Sequence, residues 1–307
     1  MGFLKEIRTQ LINKLWDAYR NSIAQVKYIE HALLQRDEKI VLDHFAIIDI
    51  PGKNSGIPTL CQIFSALGYT VQGHDYLPDK QNEFLWLAEI DAIGQPAQNV
   101  LPQVVVADFW LDELPVSVKT IVERYAAQTS KLSLRHIQHL SGKAFLGDKQ
   151  AATQLLEALV QYFSGRDWPL PTVKDFQIIH EANELLAWTL VFGRIPNHFT
   201  VSVHLLNSFK SLMDFNNFIT DDLKLKLNDN GEIIKGDPAM GLVQSSTVGE
   251  ATSVLLADGQ VTIPERFIEF IWRYPHNNLN HWDSYYTGFI ANNANRVIES
   301  LYADNRI

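Results

Sequence analysis

Leu42-Asp43-His44-Phe45-Ala46 returns 154 residues later as Pro196-Asn197-His198-Phe199-Thr200. Each copy leads a β-rich run, and the same order of elements follows both. After the first copy, Lys39 to Ile50 reads as a strand entering the Pro51-Gly52 turn. Ile57 to Leu67 reads as a helix closed by Gly68. Thr70 to Tyr76, Glu83 to Ile90 and Pro102 to Trp110 read as three more strands. After the second copy, Asn197 to Leu206 is a strand and Ser208 to Ile219 a helix. Leu223 to Ile234 carries the turn residues Asn228-Asp229-Asn230-Gly231 and predicts a hairpin. Gly241 to Ala257 and Arg266 to Tyr274 supply the remaining strands. Duplicated βαβββ modules pair into a cupped sheet with residues of both halves facing one cavity.

Outward from the repeat, Leu4, Ile7, Leu11, Leu15 and Tyr19 recur at helical spacing, predicting one helix over the first 33 residues or so. Between the modules, Pro115 to Leu140, Asp148 to Phe163 and Val173 to Trp188 have helical periodicity, with a Pro-rich loop over 165–172. The expected fold is therefore α+β: two βαβββ modules forming a metal-binding cup, a helical segment between them, and an N-terminal helix. The division falls at 1–114, 115–190 and 191–307, within one composite domain. The length of 307 residues suits that size.

Composition narrows the function. Hydrophobic residues make up 46% and charged residues 20%, as in a soluble globular chain. A net charge of −9 without a long basic run disfavours nucleic acid as partner. No apolar run approaches a membrane span, and the first 20 residues have no signal-peptide core. The single Cys61 points to a reducing compartment, and the cytoplasm is the expected location.

Alternation along strands selects the chemistry. Leu42, His44, Ala46, Ile48 and Ile50 share a face; so do His198, Thr200, Ser202 and His204; so do Phe267, Glu269, Ile271 and Arg273. Glu269, set among Phe267, Ile268, Phe270 and Ile271, needs a cation or donors if buried. Two histidines and a carboxylate on separate strands match the triad that holds Fe(II) with open positions, although Zn, Mn, Co or Ni accept the same ligands. His204, about 20 Å beyond His198 at the strand rise, is too far to share the ion. His136 and His139 fit a solvated helix face, and His180-Glu181 lacks the second histidine of a zinc-peptidase helix because Glu184 stands there. Cys61 reads as a packed thiol. Asp108 takes the place in module one that Glu269 takes in module two, either as a further acid near the cavity or as an edge-strand charge. Ser202, Gln244 and Ser246 are candidate hydrogen-bond donors to a bound substrate.

The chain resembles the 2-oxoadipate dioxygenase/decarboxylase (hydroxyglutarate synthase) family of the vicinal oxygen chelate superfamily, which also includes glyoxalases. The resemblance runs through Asp43-His44-Phe45-Ala46, Leu101-Pro102-Gln103-Val104, Leu111-Asp112-Glu113-Leu114, Ala187-Trp188-Thr189-Leu190 and Asn197-His198-Phe199-Thr200. It continues through Gln244-Ser245-Ser246-Thr247, Ile263-Pro264, Ile268-Glu269-Phe270, Gly288-Phe289 and Asn293-Ala294. It implies Fe(II) on His44, His198 and Glu269, and a reaction in which a 2-oxo acid and O₂ give CO₂ and a 2-hydroxy acid. One departure stands out. Many members carry an arginine four residues after the first metal histidine to grip the substrate's distal carboxylate, and this chain has Ile48. Either another arginine, Arg273 or Arg266, reaches the substrate, or the substrate lacks that carboxylate. The alternatives are a glyoxalase-like metal-dependent lyase or isomerase, and a metal-free protein binding a small ligand.

Overall fold

The computed structural model describes residues 2–264 and 266–290. Residues 291–307, which include the Asn293-Ala294 match and the end of the third segment of the expected division, lie outside the described residues.

The first module consists of β1 (Leu42–Ile48), α3 (Ile57–Ala66), β2 (Tyr69–Leu77), β3 (Asn82–Glu89) and β4 (Gln103–Phe109). The second consists of β5 (His198–Ser202), α9 (Leu212–Asn217), β6 (Lys235–Asp237), β7 (Leu242–Ser246) and β10 (Phe267–Arg273). All eight strands form one sheet in the order β2-β3-β4-β1-β5-β10-β7-β6. The halves mirror each other: β1 runs parallel to β4 as β5 does to β10, and β1 and β5 meet antiparallel at the centre. Leu77 of β2 and Gln244 of β7 line the same cavity. Six strand steps in a flat sheet would separate them by about 29 Å. The sheet therefore curls into a cup, as right-handed twist favours.

Alternation sorts the strand residues onto two cores. Phe45, Ile47, Phe199, Val201, Ile268 and Phe270 turn outward into a core with α1 (Gly2–Ser22), α2 (Ala24–Leu34), α5 (Leu134–Phe145) and α6 (Lys149–Tyr162). Ile48, Phe84, Ala107 and Phe267 turn inward and pack with α4 (Val116–Ala126), α7 (Val173–Ala182) and α8 (Glu184–Phe192). In α8 every residue from Leu185 to Val191 is buried, as expected of a helix apolar on all sides.

Several expectations are corrected. The N-terminal helix breaks at Ile23, whose backbone is extended. The run 115–140 divides into α4 and α5 around a loop. The run 173–188 breaks at Asn183, whose side chain leaves the helix pattern to cap α8 through the Leu186 N–H. β5 ends at Ser202, and His204 lies in the 3₁₀ turn Val203–Leu205, off the strand face. Residues 223–234 form no hairpin; they contribute only the Leu227–Thr247 bridge before β6. The run 241–257 holds two strands, β7 and β8 (Ala251–Leu255), and β8 pairs with the unexpected β9 (Gln260–Pro264) as a separate hairpin.

Candidate metal centre

The seam between the modules places the two histidines. His44 pairs with Thr200 in register, and His198 with Ala46, so both imidazoles rise from adjacent strands on the inner face. β10 follows β5 in parallel and sets Glu269 opposite Thr200. His44, His198 and Glu269 are buried, and each offers one ligand atom within 4.8 Å of the others. Glu269 Oε2 lies 3.3 Å from His44 Nε2 and 3.4 Å from His198 Nε2. Two ligands about 2.1 Å from one ion, at angles of about 90–110°, stand about 3.0–3.4 Å apart, so these separations fit a shared metal.

The surrounding shell orients each ligand. His44 Nδ1 donates to Asp43 Oδ1 at 2.8 Å, because a carboxylate can only accept. His198 Nδ1 donates to Asn197 Oδ1 at 3.0 Å. Both Nε2 atoms are thereby left facing Glu269, the arrangement by which outer partners usually fix a metal-binding tautomer. Gln244 donates to Glu269 Oε1, and Thr200 Oγ1 donates to Oε2 at 2.8 Å. Burial opposes the charge on Glu269, yet His44, His198 and Thr200 outweigh it and hold its pKa below the usual range. Burial likewise opposes protonation of His44, but Asp43 and Glu269 carry its pKa above the ordinary value. His198 has only a neutral amide behind it; burial pushes its pKa down to about 4 against the pull of Glu269.

The other expected site residues part ways. Ile48 lines the cavity beside the triad. Gln244 also lines it, but its amide is given to Glu269. Ser202 donates to Asp43 at 3.3 Å and Ser246 lies opposite Glu269 in register; neither lines the cavity. Arg273 is turned to Asp43 through Nε and NH2, both at 2.8 Å, and its NH1 donates to the carbonyls of Tyr286 and Gly288. It braces the partner of His44 instead of reaching the cavity. Arg266 turns to Ser22 and the Tyr19 ring. Asp108 is not the counterpart of Glu269: in register that place is Val105, two residues past the partner of the module's histidine. Asp108 instead caps α3, accepting the Ile57 N–H at 2.9 Å.

Asp43 and Asn197, which hold the two histidines, were not among the sequence candidates. Strict alternation would aim a residue next to a histidine away from it. At Asp43 the pairing register shifts between Leu42 and His44, and Asn197 precedes the first residue of β5, so neither obeys alternation. The signal was present in the repeat itself, where a carboxylate or amide precedes each histidine. Leu77, Asn82 and Phe84 line the cavity from segments with no motif, and Phe289 lines it from the Gly288-Phe289 stretch, where the resemblance named no role for it. Asn197 Nδ2 is buried against this cavity and has no hydrogen-bond partner among the described residues.

A family model described as 2-oxoadipate dioxygenase/decarboxylase matches residues 8–278. The chain is 30% identical over 280 residues to a protein of Oryza sativa subsp. japonica named 2-oxoadipate dioxygenase/decarboxylase, chloroplastic/amyloplastic, spanning 87% of this chain and 71% of the relative. The crystal structure of hydroxyglutarate synthase in complex with 2-oxoadipate from Oryza sativa superposes with a TM-score of 0.78 at 26% identity, covering 100% of this chain and 95% of that one. A structure from Ralstonia eutropha, described as a glyoxalase superfamily protein, shares the fold with a TM-score of 0.77 at 18% identity, over 93% of this chain and 86% of that one. The duplicated sheet, the two seam histidines and these likenesses agree: the chain belongs to the 2-oxoadipate dioxygenase/decarboxylase family.

Proposed function

We propose that this chain is a non-haem Fe(II)-dependent dioxygenase/decarboxylase of a 2-oxo acid, an oxidoreductase that consumes one O₂, releases CO₂ and leaves a 2-hydroxy acid one carbon shorter. The observation that carries the reading is the convergence of His44, His198 and Glu269 in a cavity, each oriented by a partner behind it. When bound, iron would supply the oxygen chemistry and the site at which a 2-oxo acid chelates through its carboxylate and keto oxygens.

The chain's own residues do the rest. Asp43 and Asn197 hold the Nδ1 protons of the histidines, so the Nε2 lone pairs face the metal position. Thr200 and Gln244 donate to the two oxygens of Glu269 and fix its carboxylate. Ala46, Val105 and Phe289 wall the cavity with apolar surface. Asn197 Nδ2 is a donor that a substrate oxygen would satisfy.

The single Cys61 is half-buried, with burial first and Asp108 second pushing its thiol pKa up to about 11, so it is packed and unreactive. No helix among the described residues is long and apolar enough to cross a membrane.

The test is anaerobic Fe(II) loading followed by O₂ uptake and CO₂ release across a panel of 2-oxo acids. Stoichiometric loss of O₂ and gain of CO₂ is expected. Turnover without O₂ would indicate a glyoxalase-like reaction, and failure to retain metal would indicate a binding protein; either result overturns the proposal. His44→Ala, His198→Ala and Glu269→Ala should each abolish both metal retention and turnover.

A further inference from the structure

We infer that the cavity takes a 2-oxo acid with an uncharged, apolar tail in preference to one ending in a second carboxylate; this rests on the function proposed above. The register lays out the wall beyond the metal centre. Ala46 pairs with Val105, forming the first row past His44. Ile48 pairs with Ala107, which pairs in turn with Phe84, forming the next row across three strands. Rows on one face are two residues, or about 6.6 Å, apart. Leu77 and Asn82, themselves paired across β2 and β3, close the far end.

A tail leaving the metal centre along these rows meets alkyl and aromatic groups. Among the described residues no lysine or arginine lines the cavity. The two arginines nearest Glu269 in sequence are committed elsewhere, Arg273 to Asp43 and two carbonyls, Arg266 to α1. The polar group at the far end is Asn82, and its amide nitrogen already donates to the Asp108 carbonyl at 2.8 Å. Asn82 is a neutral amide, so it cannot balance the charge of a carboxylate placed there. A distal carboxylate would thus be desolvated with no cation from these walls to balance its charge; Asn82 and Asn197 offer it only neutral amides.

The experiment titrates the anaerobic Fe(II)-loaded chain with 2-oxohexanoate and 2-oxoadipate, which have equal carbon chains. The readout is the visible absorption that appears when a 2-oxo acid chelates Fe(II), with O₂ uptake as the second measurement. 2-Oxohexanoate should bind about 100-fold more tightly, the scale set by leaving one carboxylate unpaired. Ile48→Arg should narrow or reverse the ratio. Because an arginine there could disturb folding, Ile48→Ala serves as a second variant. It should weaken 2-oxohexanoate several-fold and leave 2-oxoadipate nearly unchanged. Equal or tighter binding of 2-oxoadipate by the unaltered chain overturns the inference while leaving the proposed function standing. If neither acid changes the absorption nor drives O₂ uptake, the proposed function falls, and the inference with it.

Discussion

At the scale of single residues, the centre is asymmetric although the modules repeat. His44 is backed by a carboxylate that is itself paired with Arg273, whereas His198 is backed by an amide. Asp43 is buried, and Arg273 holds its carboxyl well below the usual pKa range despite the burial that opposes its charge. Asp43→Asn keeps an acceptor for His44 and loses the negative charge. Metal affinity should fall about 10–100-fold, measured by competition with a chelator. Arg273→Ala leaves the Asp43 carboxylate buried without its cation. The fold should lose about 3–5 kcal/mol in denaturant melts, because an uncompensated buried charge is the costliest outcome of breaking such a pair. If Arg273 gripped substrate instead, its removal would raise KM and leave the melt unchanged.

At the scale of elements, the N-terminus of α3 brings two acids to one place. Asp49 accepts the Gly56 N–H and Asp108 accepts the Ile57 N–H, each at 2.9 Å. Gly56 has φ +80°, and a Cβ there would lie 2.5 Å from Asp108 Oδ2. Gly56→Ala should therefore cost about 1–3 kcal/mol, read as a lower denaturation midpoint. Asp108 also gives a pH signature. Burial, aided by Glu83 and Asp49, raises its pKa to about 7 against the Ile57 hydrogen bond. The folded chain then holds this proton more tightly than the unfolded chain, so the Asp108 contribution to stability falls as pH rises from about 4 to about 7 and is flat above. Asp108→Asn keeps the acceptor for Ile57 and cannot ionise. It should be more stable than the unaltered chain by about 1–3 kcal/mol at pH 8, with the gap closing below about pH 4. A constant gap across that range would show that Asp108 does not titrate as described.

At the scale of the whole molecule, the ligands straddle the junction of the halves. His44 belongs to module one; His198 and Glu269 belong to module two. A bound ion would tie the halves together at β1 and β5. Metal binding is then linked to global stability: an ion at 100 times its Kd adds about 2.7 kcal/mol. Fe(II) under anaerobic conditions, or Mn(II) in air, should raise Tm by several degrees, and a chelator should reverse the gain. His198→Ala should melt at the same temperature with and without metal. A shift that survives this substitution would place the metal elsewhere.

The sequence alone determined the repeat, the order of strands and helix in the first module, the leading strand, helix and final strand of the second, and the face on which His44, His198 and Glu269 lie. It could do so because side-chain period and turn chemistry are local properties of the chain. Tertiary structure decided where expected runs break, at Ile23, Asn183 and Ser202, since each break depends on what packs or caps there. It also decided what Asp43, Asn197, Asp108 and Arg273 touch. Arg273 shares a strand face with Glu269 in any reading, but whether its guanidinium meets a substrate or Asp43, 230 residues away, depends on which carboxylate the folded sheet brings within reach. Hydrogen bonds and ion pairs act over a few ångströms, and only the closed cup sets those distances.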